Sequence, residues 1–145
     1  MSEIDKPINE VYFFWMDRTM KAWKKASNQL FRDLGINITS DQWIILKRLS
    51  EEQALTQREL AKSISKDPAS VTRILDLLEK EKLIARVMAD RRSFTINLTQ
   101  EGEKLVKKVL PEAVKYREKG IEGVSGEEMR TFRKVLDRIR DNFSS

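Results

Sequence analysis

The sequence predicts a mainly α protein with one small β-hairpin, and three observations carry that expectation. Apolar residues recur at three- and four-residue steps along most of the chain. Helix-start signatures stand in front of these stretches: Thr39 with Gln42, Thr56 with Glu59, Asp67 before Pro68, and Ser125 with Glu128. Only residues 83–98 alternate as strands do, with Phe94, Ile96 and Leu98 set between Ser93, Thr95 and Asn97.

Taken in order, residues 8–34 are expected as the first helix, with Ile8, Tyr12, Trp15, Thr19, Ala22, Ala26 and Leu30 at helical spacing and Gly35 as the left-handed residue after its end. Its first turns, Val11 to Trp15 (VYFFW), are apolar nearly all round, so that end should bury against a partner subunit. A second helix opens at Thr39 and carries Trp43, Leu46 and Leu49, and residues 51–54 connect it onward. A helix of about two turns starts at Thr56, and Ser65 and Lys66 make the turn after it. Asp67 caps a helix from 68 to about 81, with Pro68 at its first position, where a missing N–H costs nothing. Val71, Ile74, Leu75 and Leu78 share its apolar face. A short helix, a tight turn and a second helix make a helix-turn-helix pattern. Residues 83–88 and 93–98 follow as the one expected strand pair, with residues 89–92 at the tip. Thr99 caps a helix from 100 to about 119 that contains Pro111. The last helix repeats Met129, Phe132, Leu136, Ile139 and Phe143, a seam that suggests pairing between chains.

Composition narrows the chemistry. The 145 residues suit one domain or one domain with an extension. There is no cysteine, hence no disulfide and no thiol redox switch, and no histidine, the commonest general base and metal ligand. No cofactor, no metal and no enzymatic activity are expected. The first ten residues, MSEIDKPINE, are polar and acidic, unlike a secretory signal, and no apolar run is long enough to span a membrane. A cytoplasmic location is therefore expected. The net charge is +5, and it is uneven. Residues 1–54 are neutral, residues 55–98 carry nine basic against six acidic side chains, and the remainder eleven against nine. A basic excess over the helix-turn-helix and hairpin is an electrostatic footprint for nucleic acid.

The second helix of such a motif places its N-terminal residues in the major groove. Opposite its apolar face this one carries Ala69, Ser70, Thr72, Arg73 and Asp76, and the arginine, the hydroxyls and the alanine suit base edges, phosphates and a thymine methyl. A β-wing directly after that helix can insert tip arginines into a narrow minor groove, and Arg91 and Arg92 are placed for it. Asp90 would hold an arginine fork in position. Lys62, Lys66 and Arg86 are candidate phosphate contacts, which give affinity without sequence information.

The stretch LTQRELAKSISKDPASVTRILDLLEKEKLIARVMADRRSFTINLTQEG resembles the winged helix-turn-helix of the MarR family of bacterial regulators. RELA in the first helix, SVTRILDLLE in the second, and Asp90-Arg91-Arg92 followed by INLTQEG carry the likeness, and ITSDQWIIL at 38–46 extends it upstream. The resemblance implies a fold of two parts: a winged helix-turn-helix domain over residues 38–99, and a helical dimerisation region over 1–37 and 100–145. It implies a homodimer that reads a pseudo-palindromic operator in double-stranded DNA, and a repressor is expected. It carries Ser70, Thr72 and Arg73 over as major-groove residues, Arg92 as the minor-groove residue and Asp90 as its positioning partner. One departure is visible. The family usually has glycine after the recognition helix, and here Lys82 stands in that place. A side chain in the left-handed region costs about 1 kcal/mol.

Many relatives release DNA on binding a small anionic or phenolic effector, and Trp15, Trp23, Phe31 and Trp43 are the candidate wall residues here. Aromatic residues at helical spacing also serve as core or interface. The alternative function, from another class, is a winged-helix protein–protein interaction module without sequence-specific DNA binding.

Overall fold

The computed structural model describes residues 5–144. Four residues of the acidic N-terminal stretch and Ser145 lie outside them. The elements are α1 (Tyr12–Asp33), α2 (Ser40–Glu51), β1 (Leu55–Thr56), α3 (Gln57–Ser63), α4 (Pro68–Lys80), β2 (Ile84–Met88), β3 (Phe94–Leu98), α5 (Gln100–Gly120) and α6 (Gly126–Ser144). The protein is mostly helical with a small antiparallel sheet. It divides into two compact units, Met1–Ala113 and Val114–Ser145.

Helix starts follow the local signatures. Thr39 accepts the Gln42 amide while the Gln42 side chain accepts the Thr39 amide, and Thr56 and Glu59 repeat the arrangement. Asp67 accepts the Ser70 amide at 2.9 Å, with Pro68 in the first turn. Thr99 accepts the Gly102 amide at 3.0 Å and opens α5. Ser125 and Glu128 exchange both bonds at 3.0 Å and open α6.

The first helix starts later than its periodicity suggests. Ile8–Glu10 form a separate 3-10 turn, and Val11 is extended (φ −83°, ψ 120°) before α1 begins. The Trp15 indole N–H donates to the Asn9 carbonyl and ties that turn to the helix. At the other end Gly35 takes φ +72°, and the Ile36 amide reaches back to the Phe31 carbonyl at 2.9 Å.

The sheet has three strands where one pair was expected. β3 lies in the centre, with β2 on one side and β1 on the other, both antiparallel to it. Leu55 pairs with Ile96 and Thr56 with Thr95. The chain enters β1 through Ala54 at φ +60°, whose amide donates to Asn97 Oδ1 at 2.9 Å.

The core of the first unit gathers Phe31 and Ile36 from α1 and its exit, Ile45, Leu46 and Leu49 from α2, Leu60 from α3, Val71, Leu75 and Leu78 from α4, Ile84 and Ile96 from the sheet, and Val106 and Val109 from α5. The winged elements thus pack around one interior. Gly102 makes this closeness possible: a Cβ there would stand 2.1 Å from the Leu83 carbonyl oxygen. Leu83 leads into β2, so α5 rests directly on the backbone at the root of the hairpin.

Candidate nucleic-acid interface

α3 and α4 meet through a turn in which Ser65 occupies the left-handed region (φ +53°) and the Lys66 amide donates to the Ala61 carbonyl at 3.0 Å. This geometry sets α4 across α3 and leaves one face of α4 outward. Ala69, Thr72 and Arg73 are exposed there, and Ser70 is half-buried. Both hydroxyls have local duties. Ser70 Oγ donates to Asp67 Oδ2 at 2.6 Å, and this bond, with that of the Ser70 amide, holds the Asp67 carboxyl below the usual carboxylate range. Thr72 Oγ1 donates to the Pro68 carbonyl at 2.9 Å and accepts from Gln57 Nε2. Gln57 joins the first turn of α3 to α4, a role that its place in the sequence does not disclose.

The wing begins at Lys82, whose φ of +62° places a lysine where glycine is usual. The Leu83 amide closes the helix end on the Leu78 carbonyl at 3.0 Å, and Thr99 Oγ1 donates to the Lys82 carbonyl at 2.6 Å. The second bond fixes the turn from the far side, so the chain leaves α4 as a glycine would direct it. β2 and β3 then pair from Ile84–Leu98 out to Met88–Phe94.

At the tip, Asp90 Oδ1 accepts the amides of Arg92 at 2.8 Å and Ser93 at 3.1 Å. This is an Asx turn, and the Arg92 amide is the first cause of the lowered Asp90 pKa. The carboxylate was expected to hold a guanidinium. The structure gives it the backbone instead, because residues two and three positions on in a tight turn are nearer than any arginine fork. The effect on the tip is equivalent: the backbone is fixed and Arg91 and Arg92 stand exposed on it.

Other expected contacts separate. Lys62 is exposed on α3. Lys66 lies 3.4 Å from Asp41 Oδ1, which also faces Lys24 at 3.6 Å. Arg86 differs most from its expected role as a phosphate contact. Its Nη2 meets Asp76 Oδ1 at 2.9 Å and its Nη1 meets Glu79 Oε1 at 3.1 Å, and only 20% of its side chain is exposed. The guanidinium faces two carboxylates of α4. Asp76 and Glu79 are one helical turn apart, seven to ten residues before Arg86. That spacing is visible in the sequence, but only the fold turns β2 back along α4.

The four expected wall residues differ in burial. Phe31 is 2% exposed and packs in the core, with its ring centroid 6.3 Å from that of half-buried Trp43. Trp15 and Trp23 are exposed on α1. A shallow groove on α1 is lined by Trp15, Arg18, Thr19 and Ala22. Among the described residues no helix is long and apolar enough to cross a membrane.

Comparison with known proteins agrees with this architecture. A Bacillus cereus HTH-type transcriptional regulator is 34% identical over 124 residues, covering 86% of this chain and 82% of the relative. The Staphylococcus aureus MepR–DNA complex superimposes with a TM-score of 0.83 at 25% identity, covering 92% of this chain and 98% of MepR. An Acinetobacter MarR/EmrR family regulator shares the fold with a TM-score of 0.87 at 20% identity, over 96% and 99% of the two chains. The MarR family profile matches residues 38–94, the stretch that holds the helix-turn-helix and most of the wing. The chain belongs to the MarR family of transcriptional regulators, and it is not an enzyme.

Proposed function

We propose that this regulator is a cytoplasmic homodimeric repressor that reads a pseudo-palindromic operator. Residues 38–99 contact DNA, while residues 1–37 and 100–145 pair the two chains. Ala69 and Arg73 meet base edges in the major groove, with Ser70 and Thr72 offering their remaining acceptor capacity to bases or phosphates. Arg91 and Arg92 enter the flanking minor groove, and Asp90 presents them by fixing the turn. Lys62 and Lys66 contact phosphates. The observation that carries this reading is the Asp90 turn, which holds two exposed guanidiniums at the end of a hairpin rooted on the recognition helix. MepR, 25% identical over nearly its whole length, is seen bound to DNA.

Pairing follows from the terminal helices. Tyr12 and Phe13 on α1 and Phe132 and Val135 on α6 are exposed apolar groups, and a second chain would remove them from water. A small anionic or phenolic effector fits the groove on α1, where Trp15 supplies an aromatic face and Arg18 a cation. Such a ligand would release DNA by preferring a spacing of the two wings that the operator does not match.

The test is fluorescence anisotropy on the duplex upstream of the protein's own gene against a scrambled duplex at physiological salt. Operator affinity about 10³-fold or more above the scrambled value supports the proposal. Equal, weak binding to that duplex and to every site recovered by genome-wide mapping overturns it in favour of a protein-docking module.

A further inference from the structure

The Arg86 fork has a consequence for how the wing works. Arg86 lies in β2 and pairs in register with Ile96, which is buried. Its stem therefore starts midway along β2, on the face turned to the core. From there the guanidinium reaches across to α4 and takes one carboxylate on each of two nitrogens, Asp76 at 2.9 Å and Glu79 at 3.1 Å. A planar guanidinium holding two separate carboxylates fixes orientation as well as distance, which a lysine ammonium does not. Both acids belong to the helix that would read the major groove. The strand rises about 3.3 Å per residue, so the tip arginines stand roughly 15 Å beyond Arg86, and a rotation of about 10° at the root would move them by roughly 3 Å. That displacement is as large as a hydrogen bond is long.

We propose that Arg86 is a positioning residue that pins the wing to the recognition helix through Asp76 and Glu79, and so sets the angle at which Arg91 and Arg92 meet DNA. The inference rests on the DNA-binding reading above. It gives Arg86 no phosphate contact of its own: a phosphate would have to displace both carboxylates from a guanidinium that is mostly enclosed. It also gives the acids on the recognition helix a purpose, since unpaired they would only repel the DNA backbone.

The test is a salt series of anisotropy titrations on operator and scrambled duplexes with Arg86→Gln and Arg86→Lys, each first shown to be folded by circular dichroism. For Arg86→Gln the expected result is on the order of tenfold weaker operator binding, scrambled binding unchanged after the lost charge is matched by salt, and an unchanged slope against log salt. Arg86→Lys keeps the charge and is expected to lose most of the same factor. A slope shallower by about one, restored by lysine, would mark a direct phosphate contact and overturn the proposal. Operator affinity equal to wild type in Arg86→Gln would overturn it as well. If Arg86→Gln does not fold, the double variant Asp76→Asn/Glu79→Gln decides by sign. A pin predicts weaker operator binding despite two fewer negative charges, whereas a phosphate contact predicts stronger binding, because Arg86 is released. Amide hydrogen exchange in the DNA-free protein separates this inference from the function it rests on. Faster exchange in β2 and β3 of Arg86→Gln supports the pin even if no operator is found, and unchanged exchange contradicts it.

Discussion

The winged elements and the terminal helix α6 solve the same problem, where to put apolar side chains, in opposite ways. From α2 to the middle of α5 most apolar side chains turn inward, and Ile45, Leu46, Leu49, Leu60, Leu75 and Val109 are fully enclosed, while Leu77, Met88 and Phe94 stand exposed. α6 buries none of its residues, and Phe132 and Val135 lie open along it. The beginning of α1 resembles α6 in this respect, with Tyr12, Phe13 and Trp15 exposed, whereas its end resembles the winged part, with Phe31 in the core. The difference teaches that a repeating apolar seam does not by itself mean a core. In the proposed dimer a second chain would supply the cover that α6 lacks.

Substitutions can break this contrast or sharpen it. The largest effect is expected from Gly102→Ala. The added methyl would stand 2.1 Å from the Leu83 carbonyl, a backbone atom held between α4 and β2, so destabilisation of about 3 kcal/mol or more follows, read as a lowered Tm. An unchanged Tm would show that α5 does not rest on the wing root. Next comes Phe132→Glu, which puts a charge on the α6 seam. Sedimentation velocity should show pairing weakened by about 2–3 kcal/mol while the circular dichroism of the winged helices persists. Loss of helical signal throughout would mean that the seam supports the fold rather than the dimer.

Lys82→Gly acts in the other direction. It removes the Cβ penalty at φ +62° while keeping the carbonyl that accepts from Thr99, so stability should rise by about 1 kcal/mol in denaturant titrations. A fall would show that the lysine side chain contributes more than its backbone costs. The smallest effect is the acid limb. Asp67, Asp90 and Glu59 in the winged part and Glu128 at the start of α6 all have carboxyl pKa values lowered by hydrogen bonds. A pKa lowered on folding stabilises above the unfolded value, near 4, and that contribution is lost as pH falls through the lower folded value. Tm should therefore hold steady from neutrality down to about pH 5 and decline below about 4. Asp67→Asn should flatten part of that decline, and an unaltered curve would remove the Asp67 cap from the account.

Much of this was legible in the residues because caps and turns are local. A threonine and a glutamate three positions on can find each other without any tertiary structure, so the starts of α2, α3, α4, α5 and α6 follow directly. The order of elements followed from the caps, the periodicity and the one alternating stretch, and the resemblance supplied the family, with which the comparisons agree. What was not legible depends on distant partners. β1 is two residues long and exists because Gln53 and Ala54 reach Leu98 and Asn97, more than forty positions away. Val11 breaks the helical pattern where the Trp15 indole favours a tight turn over one more turn of α1. Arg86 reads as one more basic residue in a basic segment until the fold lays β2 beside Asp76 and Glu79. Phe31 reads as a wall residue until the fold places it in the core. In each case the sequence names the side chain, and the partner that decides its role comes from another element.

In the proposed function the wing tip reads DNA while the terminal helices pair the chains. The most direct measurement is an operator titration of Arg92→Ala beside its sedimentation profile. Binding is expected to weaken by about 1–3 kcal/mol with the dimer intact. Unchanged affinity would contradict it, because the exposed arginine that Asp90 presents would then have no part in holding DNA.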